Sequence, residues 1–176
     1  AIRPSDFRPS LAESWDSSPD ARVWTYRLRR GVQFHKGQGE MTSEDVVFTF
    51  ARHLDPAIVT NQKALYSNLA AVEAVDRYTV RFRTHRPDPM FNGSMITNIS
   101  AGILCKRAFE ERGQGFNLDP IGTGPYQVDS VSQTQGVMFS AFAQHFDGVA
   151  TTPALRVGFI ADTTARTLAF ASGQVD

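Results

Sequence analysis

The sequence predicts a mixed α/β (α+β) domain, and three observations carry that prediction. Two segments alternate apolar and polar residues with the period of a strand. One segment places apolar residues at helical spacing behind a capping threonine, and Gly- and Pro-containing turns separate short elements throughout. The 176 residues, 41% of them apolar, are enough for a real core. The length fits one ordinary domain or a piece of a larger one.

Taken in chain order, residues 11–15 form the first strand candidate. Next, Trp24, Tyr26 and Leu28 point one way while Thr25, Arg27 and Arg29 point the other. A helix starts at Thr42, whose hydroxyl can cap the first turn. Glu44 and Asp45 follow where the helix dipole favours negative charge. Val46, Val47, Phe50 and Leu54 share its apolar face, and Pro56 ends it. Residues 61–69 read as a further helical stretch and 69–75 as a strand. Tyr78, Val80 and Phe82 then face inward, with Thr79, Arg81 and Arg83 outward. A one-residue slip in either alternating segment would put three large apolar groups into water, so the register is well specified. A second helix covers 106–112 and stops at Gly113. Strands are expected at 124–128, 137–142 and 155–160. A third helix begins near Thr163, with Ala165, Leu168 and Ala169 as its buried stripe.

Eighteen Lys and Arg balance eighteen Asp and Glu. That balance removes the sequence-independent attraction to phosphate backbones expected of a general nucleic-acid binder. No apolar run approaches the roughly 20 residues that span a bilayer. The single cysteine, Cys105, excludes an internal disulfide framework and a Cys-rich zinc site. Following Ile103 and Leu104, it reads as a buried structural thiol. His35, His53, His85 and His145 form no local metal-ligand spacing, and no Gly-x-Ser-x-Gly elbow occurs. Gly37-Gln38-Gly39 and Gly122-Thr123-Gly124-Pro125 lack the remainder of any phosphate-binding fingerprint and read as tight turns. Glu44-Asp45 and Glu110-Glu111 read as solvated helix faces. The outward row of Arg27, Arg29, Arg81 and Arg83 could meet an anionic partner, but a sheet face balanced by nearby acids is the favoured reading. Nothing supports an enzyme, a metal site or a cofactor.

The order of motifs carries more than any one of them. The first blocks are Pro9-Ser10-Leu11-Ala12-Glu13-Ser14-Trp15, Val23-Trp24-Thr25-Tyr26-Arg27-Leu28-Arg29-Arg30-Gly31-Val32-Gln33-Phe34-His35-Lys36-Gly37 and Thr42-Ser43-Glu44-Asp45-Val46-Val47-Phe48-Thr49-Phe50. They are followed by Val72-Glu73-Ala74-Val75-Asp76, Tyr78-Thr79-Val80-Arg81-Phe82, Pro120-Ile121-Gly122-Thr123-Gly124-Pro125-Tyr126 and Ser172-Gly173-Gln174-Val175-Asp176. In this order, across nearly the whole chain, they resemble the family 5 extracellular solute-binding proteins, the peptide- and nickel-binding components of bacterial ABC importers. The stretch Ala143-Gln144-His145-Phe146-Asp147-Gly148 departs from that family by lacking its Tyr-Trp motif.

The resemblance implies a periplasmic-binding-protein-like class II fold, incomplete here. About 1–142 would be the accessory subdomain of the first lobe, and about 143–176 the return into that lobe. Both ends then read as cut, with most of the ligand cleft contributed by missing parts. The implied function is capture of a peptide or similar small solute in the periplasm or outside the cell, by a monomer, free or lipid-anchored, that delivers it to a membrane permease. No cofactor and no covalent chemistry are implied. A ligand-sensing module of a transcriptional regulator with the same fold is the alternative. Candidate ligand contacts are Gln62 and Tyr66, in a region that resembles one reaching toward the cleft in peptide-binding members. Packing of Tyr66 within its own unit is the stronger expectation. His145 and Phe146 are the remaining candidates.

Overall fold

A computed structural model describes residues 7–59, 62–98, 101–134 and 136–176. Its first sheet contains β1 (Ala12–Ser17), β2 (Val23–Leu28), β3 (Leu69–Asp76) and β4 (Thr79–Thr84), in the antiparallel order β1-β2-β4-β3. The two segments with the clearest alternation are therefore the central pair. Their register sets Trp24 opposite Phe82 and Tyr26 opposite Val80, so the large apolar side chains share one face. Helix α1 (Ser43–Leu54) lies over that face and buries Val46 and Phe50 against it. Tyr26, Phe50 and Phe91 all meet Phe82 at centroid distances of 4.9–5.4 Å, edge-on or tilted as aromatic quadrupoles prefer.

Helix α2 (Lys106–Arg112) ends at Gly113, whose positive φ of 53° marks the stop. Beyond it, β5 (Tyr126–Ser132), β6 (Gly136–Ala141) and β7 (Ala154–Val157) make a separate antiparallel sheet, followed by α3 (Thr163–Ala171). Asp162 caps α3 by accepting from the Ala165 N–H at 2.7 Å.

Three expectations are corrected. Residues 62–69 form no helix (residue 61 lies outside the described residues). Here the chain makes consecutive turns, with Leu65 N–H donating to Gln62 O and Leu69 N–H to Tyr66 O, before β3 begins. The Tyr66 ring is drawn into the core against Phe50, and that burial fixes turns instead of a helical face. Asp45 is not on a solvated face. Its Oδ2 accepts from the Thr42 N–H at 2.9 Å and the Thr42 hydroxyl at 3.2 Å, closing a capping box, while Oδ1 accepts from the Lys106 N–H at 3.0 Å and ties the start of α2 to α1. In α3 only Ala169 is buried; Ala165 and Leu168 are exposed, because no described element covers that side.

Candidate functional site

The glycine motifs singled out in the sequence meet at one residue. After Phe34 the chain tightens into a short turn, His35–Gly37, with Lys36 and Gly37 at positive φ. This turn delivers the buried His35 ring to the segment before β5. The His35 N–H donates to Gly122 O at 2.9 Å, its Nδ1 accepts from the Gly122 N–H at 3.3 Å, and Nε2 meets Gly124 O at 2.9 Å. A backbone N–H can only donate and a carbonyl can only accept. The ring is therefore neutral, with its proton on Nε2. Phe142 closes the pocket edge-on at 4.8 Å. Burial pushes the His35 pKa below its ordinary value, the bond to Gly124 opposes that shift, and the charges of Lys36 and His145 add to it. The turn is secured outside by Lys36, which pairs with Asp119; Arg112 Nη1 also reaches Asp119, at 2.6 Å. Lys36 foremost holds the Asp119 carboxyl below its usual range.

His145 and Phe146 stand beside this junction, half-buried, with ring centroids 4.6 Å apart. The His145 N–H donates to Phe142 O, its Nδ1 lies 3.1 Å from Gly148 O, and the Arg29 guanidinium lies 5.2 Å over the Phe146 ring. The other two sequence candidates belong to the α1 side of the fold. Tyr66 is 1% exposed, stacked on His53 at 4.1 Å and edge-on to Phe50 at 5.7 Å. Its ring is engaged in the core, as the stronger sequence expectation had it. Gln62 is half-buried in the turns before it.

The arginine row is balanced by acids. Arg27 pairs with Asp16 at 2.6 Å and Arg29 with Glu13 at 3.8 Å; Glu73 serves both Arg83, at 3.0 Å, and Arg81, at 4.0 Å. These are exposed pairs on a sheet face, each contributing little to stability. Cys105 is buried, and desolvation pushes its thiol pKa up, away from the thiolate a nucleophile needs. No cluster of potential metal ligands occurs among the described residues.

One feature was not read from the sequence. A cavity of about 320 Å³ opens between the inner face of the first sheet, α1 and the segment that follows Phe91. Asn92 lies in its wall, 8% exposed, within a wide helical turn, Asn92–Ile96. An asparagine directly after Met90 and Phe91 and shortly before Met95 and Ile96 is the signal that could have found it.

Residues 6–176 match the family described as bacterial extracellular solute-binding proteins, family 5 Middle, and the chain belongs to that family. A di/tripeptide-binding protein 2 of Pseudomonas aeruginosa is 32% identical over 163 residues, covering 80% of this chain and 30% of the relative. Among solved structures, MoaA of A. tumefaciens R10, in complex with mannopinic acid, superposes with a TM-score of 0.90 at 38% identity, covering 100% of this chain and 36% of that one. NikZ of Campylobacter jejuni, in complex with Ni(L-His), gives a TM-score of 0.85 at 28% identity, covering 96% of this chain and 34% of that one. The chain thus spans about a third of the length of the relatives it matches. It shares the fold of family 5 periplasmic binding proteins over that third.

Proposed function

We propose that this chain is part of the substrate-binding component of a bacterial ABC importer, one that holds a peptide or comparably small solute and delivers it to a permease in the cytoplasmic membrane. The observation that carries this reading is the family match across residues 6–176, together with relatives whose names state small solutes: di/tripeptides, glutathione, Ni(L-His). The protein works as a monomer in the periplasm or outside the cell. Its solute favours the closed arrangement because it touches parts that are apart when the site is empty. In this reading the first sheet and α1 are an accessory scaffold, about 1–142, and about 143–176 returns into the first lobe. The β6–β7 pairing fastens the two across that division. His145 and Phe146, half-buried beside the His35 junction, and Gln62, half-buried before β3, are the proposed solute contacts, with the buried Tyr66 behind them on the α1 side.

Native mass spectrometry of the full-length protein as purified, with released solute identified after denaturation, tests the reading. Released peptides, or one discrete small solute, are expected. A full-length protein that arrives empty and gains no mass with peptide mixtures, nickel–histidine or glutathione would overturn it. Titration of the 176-residue chain alone with the same solutes is expected to give no affinity tighter than about 10⁻⁴ M, since the grip requires both lobes. Micromolar binding by this piece would relocate the site within it.

A further inference from the structure

We infer that the cavity beneath the first sheet is a ligand site in its own right, for a one- or two-ring apolar molecule carrying a single hydrogen-bond acceptor. Protein interiors are packed to crystal density, with few voids larger than a water molecule. A chamber of about 320 Å³ is well above that, and roughly twice the 150 Å³ apolar cavity known to accept benzene. Its walls are fixed elements of the fold: Trp15 and Tyr26 from β1 and β2, Phe82 from β4, Phe50 from α1 and Ile103 from the segment before α2. These rings are held by one another, so the chamber does not collapse when empty.

Asn92 supplies the polar specificity. It is more than nine-tenths buried, and its carbonyl oxygen accepts from the Tyr26 hydroxyl. The amide nitrogen is left facing the chamber as a donor with no partner among the described residues. The nitrogen is not sealed from solvent, so a guest's acceptor takes the place of water there. Thr97 does not meet it: among the described residues the only bond its hydroxyl makes is the one it donates to Gly93 O. Arg8, an exposed residue of the lining, also favours a guest that carries an acceptor. A fully apolar guest would leave Asn92 unpaired, and a strongly polar one would meet aromatic walls. The occupant that satisfies both is a ring bearing one carbonyl-like oxygen. This site does not depend on the importer reading.

Acetophenone and α-methylstyrene, which differ chiefly in a carbonyl oxygen against a methylene, test it on the 176-residue chain by two-dimensional NMR. Acetophenone is expected to shift signals of Val46, Phe50, Val80, Phe82 and Asn92, and to bind about three- to tenfold more tightly than α-methylstyrene. Asn92→Leu should abolish that preference while retaining both guests. Ala101→Phe, which fills the chamber at its wall and leaves the Tyr26–Asn92 bond intact, should abolish binding of both. Shifts spread over the exposed Phe159, Leu168 and Phe170 would overturn the site, and so would equal affinity for the two probes or unchanged binding in Ala101→Phe.

Discussion

At His35 one imidazole carries two backbone bonds that only its neutral form can make together. Protonating Nδ1 would set an N–H against the Gly122 N–H and lose that bond. Burial lowers the folded-state pKa, so the unfolded chain takes up the proton first as the pH falls. The stability His35 contributes is therefore complete above its ordinary value near 6.5 and declines as the pH drops below that value, levelling off under the folded pKa. Thermal unfolding between about pH 7.5 and 5 should show this decline in the wild-type chain. His35→Gln keeps an acceptor and a donor without titrating and should flatten it. Equal slopes in both proteins would remove His35 from the account. In the sequence this role was invisible. A lone histidine between Phe34 and Lys36 suggests structure, but its partners lie some ninety residues away, and nothing local names them. Asp45 was misread for a related reason. Its neighbour Glu44 does face solvent, and only the tertiary approach of Lys106 reveals that one of the adjacent carboxylates is turned inward.

At the scale of elements, legibility followed the amount of information each segment carries locally. β2 and β4 were plain because burial on one face enforces period-2 alternation, and α1 because its cap, dipole charges and apolar stripe agree. The turns at 62–68 were not, since Leu65 and Tyr66 satisfy a helical pattern equally well and burial of Tyr66 decided the outcome. The second sheet was located approximately, but its closeness was not foreseen. A Cβ on Gly136 would lie 2.0 Å from Val157 O, at a φ of +86°, so β6 and β7 approach there only because the side chain is absent. Gly136→Ala should therefore cost about 2–4 kcal/mol in urea unfolding, combining left-handed strain with displaced β7 backbone. Gly148→Ala, with φ +92° and nothing within 4 Å, isolates the strain and should cost about 1 kcal/mol. Equal losses at the two positions would show that the close approach to β7 carries no energy.

For the molecule as a whole, the informative asymmetry lies between its two sheets. The first has its apolar face closed by α1 and the segment that follows β4. On the second, Val131, Val137 and Val157 lie in one cross-strand row, flanked by Phe139 and Leu155, and Val157 remains 50% exposed. Phe159, Leu168 and Phe170 are likewise left exposed, at 63%, 63% and 66%. Surfaces of this kind mark contacts. About two-thirds of the length of the matched relatives lies outside the part this chain covers, and chain of that extent can cover such surfaces. The 176-residue chain alone should instead self-associate weakly, with a dissociation constant of roughly 10⁻⁵–10⁻⁴ M by sedimentation. Charging the row with Val157→Glu, together with Phe170→Ser, should weaken that association by about tenfold or more, because a buried carboxylate without a partner is costly. The full-length protein should sediment as a monomer at the same concentrations. If it associates as strongly as the short chain, this face is not the one its remaining chain covers.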